Sequence, residues 1–244
     1  MAARGNRLIL SARRKEELER VKGNCPPQAQ ANIRILPLDL SKPETLSLTT
    51  EAALQLFGNI DVVILNGGIS QRSLAMETQT EVDRMLMEVN YFGNVALTKF
   101  LLPHFLQRKS GHLVVVSSVM GKFGTPWRSG YAASKHALHG FYDSLRAELW
   151  KSCPDIHVTL ICPGWVRTPI TLHALTGDGT PLNKMDRATH TGMDPNRFVQ
   201  HMIRAIEKRK EEVYIGGMKE VLAVYLKRFF PSLFSRIVRK ARVR

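Results

Sequence analysis

At 244 residues and 44% hydrophobic content, the chain is long enough to bury one large core, and its composition excludes disordered and fibrous classes. Its three cysteines, Cys25, Cys153 and Cys162, lie far apart without metal-ligand or redox spacing, which argues against a disulfide-stapled secreted module or a zinc site and for a reducing compartment. No apolar run reaches the roughly 18 residues of a helical membrane span and no signal-peptide pattern opens the chain, so the net charge of +14 is the feature that needs a partner.

In chain order, MAARG reads as the last turn of a helix closed by Gly5, with no run-in before it. Six short apolar, β-branched runs follow as predicted strands: Arg7 to Ala12, Ile33 to Leu38, Ile60 to Leu65, His112 to Ser117, Ile156 to Cys162 and Glu212 to Gly216. Predicted helices alternate with them: Lys15 to Val21, Pro43 to Phe57, a long Glu81 to Gln107 interrupted near Pro103, Tyr131 to Trp150, and Asp194 to Lys208, where Asp194-Pro195 forms an N-cap and first-turn pair. Strands alternating with helices predict an α/β fold with a parallel sheet covered on both faces. The polar, glycine-containing segment 171–192 reads as a surface loop or lid within a single domain spanning 1–216.

Residues 217–244 read as a basic amphipathic extension. From Lys219 to Arg244, including Arg242 and Arg244 at the end, eight Lys or Arg face one acid, Glu220, and account for +7 of the net charge. Val221, Leu222, Val224, Tyr225, Leu226, Phe229, Phe230, Leu233, Phe234, Ile237 and Val238 interleave with them, the mixture found in helices that lie on anionic membranes. A docked helix with a solvated basic end reads equally well. Nucleic acid is disfavoured, because no recognition motif accompanies the charge.

The chemistry concentrates in the middle. Tyr131 and Lys135 stand one turn apart on one helix face, where an ammonium near a phenol favours phenolate and lowers the tyrosine pKa by roughly one to three units; by itself this spacing also fits a surface pair. Ser118 follows a buried strand, at the end of a parallel sheet where ligands bind. Asn66, Gly67 and Gly68 end one strand, and Pro163 and Gly164 another, where small residues admit a ligand close to the backbone.

Asn66-Gly67-Gly68, Asn90 in EVNYFG, Ser118, Tyr131, Lys135 and Pro163-Gly164 occur in the order and spacing of the short-chain dehydrogenase/reductase family. The chain resembles most closely the subgroup of dehydrogenase/reductase members 7 and 7B, on NGGISQRSL, MEVNYFGNVALTK, RSGYAASKHAL, LTGDG and LAVYL. The resemblance implies a Rossmann-type doubly wound sheet and an oxidoreductase that reduces a hydrophobic or lipid-like ketone to an alcohol. In it Tyr131 gives or takes the carbonyl proton, Ser118 hydrogen-bonds the carbonyl oxygen, Lys135 tunes Tyr131 and holds the nicotinamide ribose, and Asn90 supports a water relay. By the same resemblance Asp39 meets the adenine and Thr168 the carboxamide, and the long helices around Asn90 and Tyr131 pair into homo-oligomers. A membrane location, endoplasmic reticulum or peroxisome in a eukaryote, follows from the tail and the lipid-like substrate.

In the family's second strand, LILSARRKEE here, an acid selects NAD, whereas Arg13 and Arg14 offer two cations to a 2′-phosphate, so NADP(H) is expected. The alternative for the arginines is a solvated strand end, and for Asp39 a cap on the helix after Pro43. Trp127, Trp165, Met120 and His173 read as pocket lining or as packing, and His139 and Phe141 as helix packing. One departure from the family is large: its first strand and T-G-x-x-x-G-x-G turn are not among these residues, and Gly5 is the only glycine before Gly23. The expected consequences are a sheet cut between Leu38 and Ile60 and weak NADP(H) binding, with a catalytically impaired protein as the alternative function.

Overall fold

The computed structural model describes residues 1–240. At the start, Gly5 takes the left-handed turn at φ 78° that closes a 3-10 helix, Ala2–Arg4, and its N–H bonds the Ala2 carbonyl. The elements that follow are β1 (Leu8–Leu10), α1 (Lys15–Gly23), the short α2 (Pro27–Gln30), β2 (Ile33–Ile35), α3 (Pro43–Phe57), β3 (Val62–Leu65), α4 (Thr80–Met87), α5 (Gly93–Arg108) and β4 (Gly111–Val116). Then come α6 (Ser129–Ser152), β5 (Ile156–Pro163), the short α7 (Arg187–His190), α8 (Pro195–Glu207), β6 (Glu212–Ile215), α9 (Met218–Phe229) and α10 (Pro231–Val238).

All six expected strands form, and every pairing is parallel. They fall into two sheets, β1-β2 and β3-β4-β5-β6, with no rung between them among the described residues. β1 and β2 are only three residues long, because each has a ladder partner on one side alone. β4, the best-covered strand, is buried at all six positions. On one face Leu97, Leu101 and Phe105 of α5 and Leu138, Tyr142 and Leu145 of α6 pack against Leu113 and Val115; on the other, Ala205 and Ile206 of α8 pack against Val114, Val116 and Ile161. This is the Rossmann-like, doubly wound α/β architecture.

The long helix expected to break near Pro103 breaks elsewhere. A π-turn at Glu88–Phe92 separates α4 from α5, and α5 runs through Pro103. Pro103 and Lys99 both lie on the exposed side, so the carbonyl that Pro103 cannot satisfy faces solvent. Within 171–192 the chain is less irregular than its composition suggests, because Asp186 caps α7 by accepting from the Thr189 N–H at 2.7 Å. At the C-terminal end, Val224 of α9 and Phe234 of α10 pack on Val119, Met120 and Phe123, while Leu222, Tyr225, Phe229, Phe230, Leu233 and Ile237 stay exposed. The tail thus both docks and keeps an uncovered apolar face; Arg242 and Arg244 lie outside the described residues.

Candidate active site

The C-terminal ends of β3, β4 and β5 converge. Ser118, in extended backbone just past β4, donates its hydroxyl to the Pro163 carbonyl at the end of β5 (3.4 Å) and accepts from the Met120 N–H (3.1 Å), which starts a 3-10 turn at Val119–Gly121. Tyr131 lies in the first turn of α6, where the Ser118 side chain acts to lower the pKa of its phenol. One turn on, the buried Lys135 ammonium donates to the Val116 carbonyl at 2.9 Å and stands 5.9 Å from the centre of the Tyr131 ring.

The electrostatics differ from the expectation that Lys135 lowers the Tyr131 pKa. Burial raises it, against the opposing effects of the Ser118 side chain and then of the Arg128 and Arg72 charges. Lys135 is itself desolvated, its pKa pushed down to about 8, and its ammonium is committed to a backbone carbonyl.

Asn90 sits in the π-turn between α4 and α5, which aims its side chain at the end of β3. It bonds Ile69 twice, accepting from the N–H at 2.8 Å and donating to the carbonyl at 3.0 Å, and it also donates to Ser134 of α6 at 2.9 Å. Asn66, Gly67 and Gly68 present exposed backbone beside it. A Cβ on Gly68 would come within 3.0 Å of Asn90 Oδ1 and 3.4 Å of Lys135 Nζ, so the absence of a side chain keeps this strip of backbone open.

The segment after that strip ties the site together. Gln71, fully buried, accepts through Oε1 from the N–H groups of Gly130 and Tyr131, and donates through Nε2 to Ser73 and Thr78. Arg72 donates to the Asp186 carboxylate from Nη2 at 2.7 Å and from Nε at 3.1 Å, and Arg128, at the N-cap of α6, donates to the same oxygen at 3.3 Å. The Arg128 guanidinium stacks on Trp165 at 4.5 Å. Trp127 adopts φ 70°, an uncommon left-handed backbone for a bulky residue, next to the start of α6. Gln71, Arg72, Arg128 and Asp186 were not singled out in the sequence. Three of them fall inside the family-like stretches, but buried arginines have no periodic signature, and Asp186 lies 114 residues from Arg72.

Arg13, Arg14 and Asp39 stand at the C-terminal ends of the other sheet. Both arginines are exposed in the β1–α1 turn. The Asp39 carboxylate accepts from the N–H (3.0 Å) and hydroxyl (2.7 Å) of Ser41 rather than from the first turn of α3. Partial burial opposes its ionisation, yet those bonds and the nearby Arg13 charge keep its pKa low. Thr168 is half-buried before a 3-10 turn, Pro169–Thr171.

Of the pocket candidates, Met120 is in the core and His173 is exposed. His139 does more than pack: its Nε2 is 3.0 Å from Ser117 Oγ and 3.8 Å from Cys162 Sγ, and its Nδ1 is 3.3 Å from Glu212, which Lys122 also pairs. The periodicity of α6 marked His139 as inward-facing without showing the polar partners that await it on β4, β5 and β6.

A parallel sheet with a serine, a tyrosine and a lysine gathered at its C-terminal edge defines a Rossmann-type oxidoreductase. Residues 1–177 match the short chain dehydrogenase family model. The chain is 41% identical over 246 aligned residues to dehydrogenase/reductase SDR family member 7B of Xenopus laevis, covering 97% of this chain and 74% of that protein. Among solved structures it is similar to a short-chain dehydrogenase of Streptomyces avermitilis (25% identical, TM-score 0.78, 97% of this chain and 88% of that one). It is also similar in fold to a Burkholderia phymatum short chain dehydrogenase/reductase in complex with NAD (21% identical, TM-score 0.81, 95% and 87%). An actinorhodin polyketide ketoreductase with NADPH matches at 29% identity and a TM-score of 0.64, over 69% of this chain and 64% of that one. The chain belongs to the short-chain dehydrogenase/reductase family of oxidoreductases.

Proposed function

We propose that this protein is an NADP(H)-dependent reductase that converts a hydrophobic, lipid-like ketone to an alcohol. The observation that carries the reading is the gathering of Ser118, Tyr131 and Lys135 past the end of β4, with the Lys135 ammonium 2.9 Å from the Val116 carbonyl and 5.9 Å from the centre of the Tyr131 ring. The ketone oxygen would take both hydroxyls as donors. As the carbonyl carbon gains hydride, the oxygen takes the Tyr131 proton, leaving an alcohol and a phenolate that Ser118 and the nearby arginines stabilise until it is reprotonated. Lys135 and Asn90 hold the adjoining backbone, and Asn90 supports the proton relay.

The bound dinucleotide supplies the hydride. The residues present fit its nicotinamide-ribose end: the open Gly67–Gly68 backbone, Lys135, Pro163, Gly164 and Thr168 would hold it, with Asn66 closing the strand end. Arg13 and Arg14 would take the 2′-phosphate and Asp39 the adenine. The pyrophosphate has no glycine-turn cradle among the described residues, and the two sheets stand apart where that turn would lie. A second reading is that these 244 residues by themselves form a catalytically impaired variant. Titrating these residues with NADPH and a panel of long-chain ketones tests both: millimolar affinity with measurable turnover fits the reductase, micromolar affinity removes the case for impairment, and no binding by folded protein leaves the second reading.

The exposed apolar face of α9 and α10, flanked by Lys219, Lys227, Arg228, Arg236, Arg239 and Lys240, supports contact with an anionic membrane surface. Cosedimentation with phosphatidylserine vesicles but not phosphatidylcholine vesicles is the expected result. Exposed Met85 on α4, Phe92 in the π-turn, Phe100 and Leu106 on α5, and Trp150 on α6 support homo-oligomer formation through those helices.

A further inference from the structure

Side chains of α6, β5 and β6 bring an imidazole, a thiol and a carboxylate together inside the protein. His139 of α6 is 6% exposed, Cys162 of β5 is fully buried, and Glu212, which opens β6, is half-buried. One ligand atom from each, a ring nitrogen, the sulfur and a carboxylate oxygen, lies within 4.8 Å of the other two. The ring is held on two sides. Its Nε2 stands 3.0 Å from Ser117 Oγ, and Gly121 leaves the room it fills, since a Cβ there would come within 2.6 Å of the ring.

The hydrogen bonding leaves one ring nitrogen unexplained. Ser117 donates its hydroxyl to the Lys135 carbonyl at 3.3 Å, so toward His139 it accepts, and the ring proton sits on Nε2. Nδ1 is then a bare lone pair. It is buried, makes no hydrogen bond among the described residues, and faces Glu212 Oε2 at 3.3 Å. A lone pair turned on a carboxylate repels it unless a cation lies between them. A proton would serve that pair, but it leaves Cys162 Sγ with its weak 3.8 Å contact to Nε2.

We propose that His139, Cys162 and Glu212 form a Zn²⁺ site that ties α6, the helix carrying Tyr131 and Lys135, to the last two strands of the sheet. An imidazole, a thiolate and a carboxylate are ligands that zinc takes, and the thiolate disfavours magnesium and calcium. Bonds of about 2.0–2.3 Å in a tetrahedral site put ligand atoms roughly 3.3–3.6 Å apart. Nδ1 and Oε2 already stand at that separation, and the sulfur closes by about 1 Å, leaving the fourth position to water. The Nε2–H bond to Ser117 is the outer contact that fixes a metal-bound histidine, and Tyr214 donates its hydroxyl to the other Glu212 oxygen. As the Zn–S bond forms, the thiol proton leaves to solvent, with no change of oxidation state. Thiolate and carboxylate then balance the charge of the ion. Lys122, 2.7 Å from the same Glu212 oxygen and one-quarter exposed, becomes surplus and turns outward. The cysteine spacing hides the site, because one cysteine takes part and His139 lies 23 positions before it.

The proposal does not rest on the reductase reading, and its test needs neither cofactor nor ketone. Cobalt(II) is titrated into the full chain, stripped of metal and with its thiols kept reduced, while the thiolate-to-cobalt charge-transfer absorption is followed and circular dichroism verifies folding. The expected result is one cobalt per chain, displaced by zinc. Zinc at about 100-fold its dissociation constant should raise the thermal unfolding midpoint by roughly 5–10 °C. The charge-transfer band should vanish in Cys162→Ala, and cobalt binding should be lost in His139→Gln. Lys122→Gln, which removes the competing cation, should bind cobalt more tightly than wild type, and weaker binding would overturn the assignment of Glu212 as a ligand. If Cys162→Ala does not fold, His139→Gln decides. A folded wild-type chain that binds no cobalt overturns the proposal and leaves a proton between His139 and Glu212. A band that persists in folded Cys162→Ala assigns the thiolate to Cys25 or Cys153 and overturns it as well.

Discussion

The side-chain oxygen of Gln71 accepts hydrogen bonds from the backbone N–H groups of Gly130 (2.9 Å) and Tyr131 (3.2 Å), so a residue 60 positions upstream of Tyr131 caps the helix that presents it. The residue at the N-cap, Arg128, makes no side-chain cap bond of its own, and the first N–H groups of α6 need a partner because they are buried. Gln71→Ala is expected to cost about 1–3 kcal/mol in urea unfolding, as buried donors and acceptors lose their partners. In ketone reduction at saturating NADPH, kcat should fall more than KM rises, because Tyr131 is displaced while the rest of the site persists.

Gly68 sets how closely a ligand approaches the end of β3. Its replacement by alanine would press a methyl group against Asn90 Oδ1 and Lys135 Nζ, and Asn90 cannot retreat freely because it is bonded to Ile69 on both sides. Gly68→Ala should lower stability by about 1–2 kcal/mol and raise the NADPH dissociation constant by a larger factor than the folding loss explains, as isothermal titration would show.

Arg13 and Arg14 supply a charge test of cofactor choice. Both are exposed and Arg13 neighbours Asp39. Replacing both with alanine should weaken NADPH binding roughly 10- to 100-fold, the scale of charge-assisted hydrogen bonds to a phosphate, while NADH binding stays unchanged. Equal weakening of both cofactors would show that the arginines hold the fold rather than the 2′-phosphate.

His112 makes stability depend on pH. Burial, with the neighbouring His157 and Arg209, pushes its pKa down to about 4 from an ordinary value near 6.5, and its ring bonds Thr159 at 2.8 Å. The unfolded chain therefore takes up the proton first. The contribution is fully present above about pH 6.5 and is lost as pH falls toward 4, by as much as about 3 kcal/mol. Thermal unfolding midpoints should drop across that window, and His112→Gln should flatten the drop.

Strand number, parallel pairing and the separation of the first two strands were legible in the sequence, because each strand is a short β-branched run between polar turns and each helix has its own period. The helix break was not: Pro103 is a visible breaker, yet its place on the exposed face makes it harmless, whereas the π-turn that aims Asn90 leaves no mark in EVNYF. The site was legible where chemistry lies close in sequence, as for Tyr131 and Lys135, or at strand ends, as for Ser118. It was illegible where it depends on contacts across the chain. Arg128 and Asp186 meet over 58 positions, and nothing in either stretch announces the other. For the same reason the second contact of Lys135 was illegible: spacing brought the lysine near Tyr131, but the hydrogen bond from its ammonium to the Val116 carbonyl spans 19 positions.

The most direct test of the central claim follows deuterium from C4-deuterated NADPH into a long-chain ketone by mass spectrometry, at millimolar cofactor, for the wild-type chain and Tyr131→Phe. One deuterium in the product alcohol, with the rate reduced by about 10²- to 10⁴-fold in a folded Tyr131→Phe protein, is the predicted result. A folded wild-type protein that transfers no deuterium, or a Tyr131→Phe protein that transfers it as fast as wild type, would contradict the account.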